Sequence, residues 1–184
     1  MRKVVVSEFV TLDGVFEDPS WTRQFRSQEG EAFKFAELKA ADALLLGRVT
    51  YEGFAAAWPG MAEQTGEYGA MMNGYPKYVA STTLDTAEWN ASLIRGDLAE
   101  EITRLKAQPG RDILVFGSGR LVEALLRHDL VDEYRLLVFP VVLGHGRRLF
   151  PEGLGTTLEL VEAKPFSSGV VALTYRPAVR EGGQ

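Results

Sequence analysis

The stretch Asp112-Ile113-Leu114-Val115-Phe116-Gly117-Ser118-Gly119-Arg120 reads as a strand, a tight glycine turn and the start of a helix. A short apolar run bounded by Asp and Gly suits a strand covered on both faces, the habit of parallel sheets. The glycines let the backbone turn sharply and approach a ligand with no Cβ in the way. A helix from about Leu121 to His128 follows, so free N–H groups and a positive dipole end face the turn. That is a seat for phosphate. It is equally an ordinary strand-to-helix turn, and the pattern alone leaves both readings open.

The same order of elements recurs outward from this point. Ala43-Leu44-Leu45-Leu46-Gly47 is a second apolar run, and Gly47-Arg48-Val49-Thr50-Tyr51-Glu52 leads into a helix over Val49 to Trp58 that Pro59-Gly60 stops. An arginine fork and a first-turn threonine hydroxyl are again suited to phosphate. A third strand, Lys77 to Ser81, ends in the hydroxyl-rich Ser81-Thr82-Thr83. Val4 to Val10 reads as the first strand, closed by Asp13-Gly14, then an irregular loop over Glu17 to Trp21 and a helix over Ser27 to Ala41. Met61 to Gly74 has weak periodicity and reads as a long connection holding a short helix. Asp97 caps a helix carrying Leu98, Ile102 and Leu105, which Pro109-Gly110 ends.

The last third lacks helical spacing. Tyr134 to Val142, Leu158 to Lys164 and Val170 to Arg176 are strand-like, with Ser167-Ser168-Gly169 as the turn of a closing hairpin. Strand–helix alternation followed by strands predicts a three-layer α/β fold. Its central sheet is mostly parallel, helices cover both faces, and an antiparallel C-terminal hairpin lies at one edge. Ligands of such sheets bind beyond the carboxyl ends of the strands. One domain is expected over residues 1–178, with a flexible tail over 179–184.

Composition narrows the function. A net charge of −5 argues against nucleic acid as a partner. The chain has no cysteine, which removes disulfides, thiolate metal sites and thiol nucleophiles. His128 and His145 are not spaced as a metal pair, so no metal is expected. Glu8 and Asp13 break the N-terminal apolar run too early for a signal peptide or membrane span, so a cytoplasmic location is expected. The run Val138 to Leu143 suggests a self-association face.

These motifs together resemble the dihydrofolate reductase-like superfamily. Gly47-Arg48-Val49-Thr50-Tyr51-Glu52 resembles the G-R-x-T-[YW]-E segment of dihydrofolate reductases, and Ser81 falls where those enzymes end a strand in serine. Ile113 to Arg120 followed by Leu130-Val131-Asp132-Glu133 is similar to their strand, glycine turn, helix and Asp-Glu. Thr11-Leu12-Asp13-Gly14 and Pro140 to Phe150 resemble the [ST]-L-D-G and P-x-x-x-G-x-G-x-x-L-F stretches of riboflavin-pathway reductases. The resemblance runs from about residue 3 to residue 176.

The resemblance implies NADPH as cofactor and a homodimer. Gly47, Arg48 and Thr50 would hold the 2′-phosphate and pyrophosphate, and Ser81 and Thr82 would lie near the adenosine phosphate. Gly117, Ser118, Gly119, Arg120 and Leu121 would lie along the pyrophosphate and nicotinamide ribose. An acid on the first helix anchors the pterin in dihydrofolate reductases. Glu31 has its spacing, sixteen residues before Gly47 and four before Phe35. Asp13 is the candidate shared with the riboflavin enzymes. Both are candidate catalytic residues, and each has an ordinary alternative, a solvated first-turn Glu and an Asp-Gly turn.

The riboflavin enzymes' ribose-phosphate stretch G-x-x-T-x-x-x-D-x-P-x-L-x-x-R is not matched, because no D-x-P-x-L follows Thr50. The zinc deaminase domain that usually accompanies them is also absent from this sequence, so a stand-alone reductase domain is expected. Trp21, Phe25, Tyr51 and Trp58 are candidate walls for a flat ring. The expected activity is hydride transfer from NADPH to a pterin-like or aminopyrimidine heterocycle. The alternative is a non-catalytic NADP(H)-binding module of the same fold. A serine hydrolase would need a G-x-S-x-G elbow, which Gly117-Ser118-Gly119 does not supply.

Overall fold

In the computed structural model, which describes residues 1–179, the paired runs of branched apolar residues form one eight-stranded sheet. In chain order the elements are β1 (Val4–Thr11), α1 (Gln28–Ala40), β2 (Ala41–Gly47), α2 (Arg48–Ala57), α3 (Ala62–Gly74), β3 (Lys77–Ala80), β4 (Ala91–Ile94), α4 (Leu98–Ala107), β5 (Asp112–Phe116), α5 (Gly119–Arg127), β6 (Glu133–Phe139), β7 (Leu158–Pro165) and β8 (Val171–Pro177). The sheet order is β4-β3-β2-β5-β1-β6-β8-β7. The pairs from β4 through β6 are parallel, and β8 is antiparallel to both β6 and β7. This is the expected α/β class with an antiparallel hairpin at the C-terminal edge.

Period-two alternation sends neighbouring side chains of a strand to opposite faces, and both faces here are dry. Val4, Val6, Leu45, Ile113 and Val115 pack on one side against Ile102 and Leu105 of α4 and Leu121, Val122 and Leu125 of α5. Val5, Leu44, Leu46 and Leu114 pack on the other side against Leu38 of α1, Tyr51 of α2 and Met72 of α3. Each such fully buried aliphatic side chain contributes ~1.5–3 kcal/mol by leaving water. A third cluster around Leu137, Phe139 and Phe166 closes the β6–β8 end, with Phe9, Trp21 and Phe25 packed on it.

The structure departs from the sequence reading in a few places. The segment read as an irregular loop continues into a 3-10 helix over Pro19–Phe25, started by a proline in its first turn. The weak periodicity of Met61 to Gly74 has a cause: α3 is kinked at Gly66, whose φ is 56°. The short edge strand β4 was not anticipated, since Trp89 and Asn90 enter it in left-handed conformation and Ser92 is exposed. β6 stops at Phe139 and not at Val142, because Pro140 has no N–H for the ladder. Both α2 and α5 start one or two residues earlier than expected, directly on their glycine turns. Of the expected tail, residues 180–184 lie outside the described residues.

Candidate functional site

The carboxyl ends of β1, β2, β3, β4 and β5 open into one cleft of about 1970 Å³. All the residues read from sequence as cofactor contacts line it: Gly47, Arg48, Thr50, Ser81, Thr82 and the run Gly117 to Leu121. The sheet order places β2 beside β5, so two glycine turns that are seventy residues apart in sequence become neighbours.

The two turns are latched together by hydrogen bonds. Ser118 Oγ accepts from the Gly47 amide at 2.9 Å and donates to the Phe116 carbonyl at 2.9 Å. The Ser118 amide donates to Thr50 Oγ1 at 2.9 Å. The Ser118 hydroxyl is thus spent on holding the cleft floor, and Thr50 keeps only its own O–H for a ligand. Gly117 has φ +52°, and Ser118 also lies in the left-handed region at 60°. A Cβ on Gly117 would stand 2.9 Å from Thr50 Oγ1, and one on Gly119 would stand 2.4 Å from the Phe16 ring tip. Both glycines are therefore required by close approach.

Neither α2 nor α5 has a side chain capping its first turn, whereas Ser27 caps α1 and Asp97 caps α4. Their amino-terminal N–H groups face the cleft with the positive dipole end, a pair of anion seats. Arg48, Arg95, Arg120 and Arg147 line the same cleft. Arg48 is half exposed and pairs with Glu52 at 3.0 Å, while Arg147 leans on Glu123 at 3.3 Å. Arg120 makes no ion pair among the described residues and is exposed. Arg95, at the end of β4, was missed by the sequence reading because that strand was missed. Ser81 Oγ accepts from the amides of Thr83 at 3.2 Å and Leu84 at 3.1 Å, which fixes the turn after β3.

The structure brings Glu31 to the cleft but not Asp13. Glu31 sits on the rim, 63% exposed, and pairs with Arg26 at 2.9 Å. Asp13 lies away from the cleft-lining residues. Its carboxylate accepts from Thr11 Oγ1 at 2.6 Å and from the amides of Gly144 at 2.8 Å and Leu143 at 3.2 Å, and these bonds hold its pKa down at about 2. It ties the β1 turn to the glycine loop after β6. Of the candidate ring walls, Phe25 and Trp58 line the cleft. Trp21 packs edge-on against Phe139 at 5.3 Å, and Tyr51 is core, its hydroxyl bonded to the backbone of Glu88.

Sequence reasoning overlooked a third carboxylate. Glu8, near the end of β1, is only 5% exposed, lines the cleft, and has an Oε1 without a hydrogen-bond partner among the described residues. Burial pushes its carboxyl well above the usual range, against the opposing pull of Lys34 and of a hydrogen bond from the Gly117 amide. Lys34 pairs with Glu37 and donates to Ser7 Oγ at 2.7 Å, and Ser7 Oγ donates to Glu37 Oε1 at 2.8 Å. The Lys34 ammonium also stands 4.3 Å from the centre of the Phe116 ring. The available signal was the density of branched apolar residues around it in Val4 to Val10, a pattern typical of a strand covered on both faces. No group of side chains able to hold a metal occurs among the described residues, and none of their helices is long and apolar enough to cross a membrane.

Known proteins carry the same architecture. Protein YyaP of Bacillus subtilis (strain 168) is 30% identical over 177 residues, covering 95% of this chain and 94% of its own length. A candidate riboflavin biosynthesis protein from Shewanella sp. PV-4 superposes with a TM-score of 0.78 at 22% identity, over 96% of this chain and 99% of that one. Dihydrofolate reductase from Enterococcus faecalis, solved with NADP(H), superposes with a TM-score of 0.63 at 16% identity, over 95% and 96% of the two chains. The RibD C-terminal domain family matches residues 2–172, so this chain belongs to that family, with a reductase-like fold.

Proposed function

We propose that this chain is an NADPH-dependent reductase that delivers hydride to a flat nitrogen heterocycle of the pterin or aminopyrimidine kind. The observation that carries the reading is the pair of uncapped helix starts, α2 and α5, latched side by side at the floor of one cleft with Arg48 between them and solvent. A dinucleotide's phosphates fit this donor set, and the close approach of Thr50 to Gly117 and of Phe16 to Gly119 holds the turn that presents it. The amides of Gly119, Arg120 and Leu121 would hold the pyrophosphate. Arg48 and Arg95 would hold the 2′-phosphate, with Ser81 and Thr82 beside the adenosine. When bound, NADPH supplies the hydride. Phe9, Phe25 and Phe139 line the β1–β6 side of the cleft and would exclude water from the ring that accepts it. The exposed Leu160 and Val161 on the edge strand β7 support pairing of two copies.

Titration of NADPH and NADH against the purified protein, read by nicotinamide fluorescence, tests the reading. NADPH is expected to bind more tightly, and Arg48→Ala to erode that preference by about 1–3 kcal/mol, the range of a charge-assisted contact. If neither nucleotide binds below about 1 mM, a Kd that corresponds to only ~4 kcal/mol, the reading falls.

A further inference from the structure

We propose that Glu8 is the acid that meets the substrate, and that the substrate is an unphosphorylated flat heterocycle held through a ring nitrogen. The proposal rests on the reductase reading for its reaction, but the site stands on its own geometry. Glu8 is a carboxyl buried at the floor of a cleft, with one oxygen facing no protein partner and the other side of the group tied to the Gly117 turn. A buried polar atom left without a partner is destabilising, and a ligand's ring N–H or ring nitrogen would supply the missing bond. The rim residue Glu31, exposed and already paired with Arg26, has no such need.

The charges lining the cleft divide along the sheet. Arg48, Arg95 and Arg120 lie at the β4–β5 side, where phosphates are expected. Glu8, Glu17, Asp18 and Glu31 lie at the β1 side. The cations there, Arg26, Lys34 and Arg147, are paired with Glu31, Glu37 and Glu123. A phosphate arriving at the β1 side would meet carboxylates and displaced ion pairs, so a neutral or weakly basic ring is the fitting occupant. Lys34 and Glu37 of α1 are the charged groups that face Glu8, and their mutual pairing leaves Glu8 as the group free to carry a proton.

In the reaction, the carbon of a ring C=N bond receives the hydride while the adjacent nitrogen takes the proton from the Glu8 carboxyl. One C–H and one N–H bond form, the C=N π bond is lost, and the nicotinamide is oxidised. The Glu8 carboxylate then regains a proton from water.

The test compares the wild type with Glu8→Gln, which keeps the shape of the side chain. With 2,4-diaminopyrimidine as the probe, a weak base whose protonated edge matches a carboxylate, binding is expected to the wild type. It should weaken by about 10- to 100-fold in E8Q, the range of a lost charge-assisted bond. NADPH affinity should change by less than about twofold, since Glu8 is not a phosphate contact. With the phosphate seats at the β4–β5 side filled by saturating NADPH, uridine 5′-monophosphate should bind no tighter than uridine. In protein carrying 13C-labelled glutamate, one carboxyl signal should titrate well above the usual range and be missing from E8Q. Equal diaminopyrimidine binding by E8Q, failure of the wild type to bind it, a tenfold advantage for the phosphorylated probe, or the absence of that signal would each overturn the proposal. Loss of NADPH binding by the wild type would instead overturn the reductase reading, and the probe titrations in the nucleotide-free protein would still decide the role of Glu8.

Discussion

Replacing Gly117 with alanine isolates the geometry on which the cleft floor depends. At φ +52° an L-residue sits in the left-handed region, which costs about 1–2 kcal/mol relative to glycine. The new methyl would also stand 2.9 Å from Thr50 Oγ1, the acceptor of the Ser118 amide, so that hydroxyl must move and its bond weakens. A weakened bond of this kind adds about 0.5–1.5 kcal/mol. The expected total is about 2–3 kcal/mol, or a fall in Tm of roughly 4–12 °C for a chain of this size. Urea denaturation of G117A, T50A and the double variant separates the two parts. In the T50A background the obstacle is gone, so the alanine should cost only its backbone strain. The cycle should therefore show a coupling of about 1 kcal/mol between the two sites. Gly119→Ala is the comparison without left-handed backbone strain: its Cβ would meet the core-packed Phe16 ring at 2.4 Å and the Arg147 guanidinium at 3.2 Å, so an overpacking cost of about 1–3 kcal/mol is expected. Full additivity of G117A and T50A, or an undiminished stability of G117A, would refute this account of the turn.

Two further outcomes follow from buried polar groups. Ser118→Ala removes the acceptor of the Gly47 amide and should destabilise the fold by about 1–3 kcal/mol, seen as a lower urea midpoint at unchanged m-value. Lys77 is fully buried, donates to the Asn73 carbonyl at 2.9 Å and stands over the Trp89 ring, and burial lowers its pKa from 10.5 to about 8. Between about pH 8 and 10.5 the unfolded chain holds more protons at this residue than the folded one. The wild type should therefore gain stability relative to Lys77→Met as pH rises through that window, and parallel pH profiles of the two proteins would show the reasoning to be wrong.

The layered sheet was legible in the sequence because its strongest elements are local. Leu44 to Leu46 and Ile113 to Val115 are runs that only a doubly covered strand accommodates, and each ends in a glycine that a helix follows. That Gly47, Arg48 and the Gly117 turn share one cleft was legible for the same reason, since they sit at those strand ends. Glu8 was hidden because a single charged residue in a strand reads as a solvent-facing position, and its burial arises only when α1 and the Gly117 turn close over it. Glu31 matched by counting along the chain and reaches the cleft rim, but a count does not give depth, and α1 turns Lys34 and Glu37 further inward. The partners of Asp13 were hidden because Leu143 and Gly144, in the loop after β6, are distant in sequence. β4 pairs through only a few residues at an edge and left no apolar signature.

The position of β1 has a consequence for the birth of the molecule. Its two neighbours in the sheet are β5, where Val4 lies opposite Ile113, and β6, where Val5 lies opposite Glu133. Of the strands in this sheet β1 is made before the others, and it has no template on either side until β5 and β6 have followed. During that interval Val4, Val5 and Val6 form an uncovered sticky segment with both ladders vacant, the kind of exposure that holdase chaperones intercept. Closing two parallel seams across such sequence distances is the kind of non-local pairing that slows folding, and the floor of the cleft, Glu8 included, depends on it.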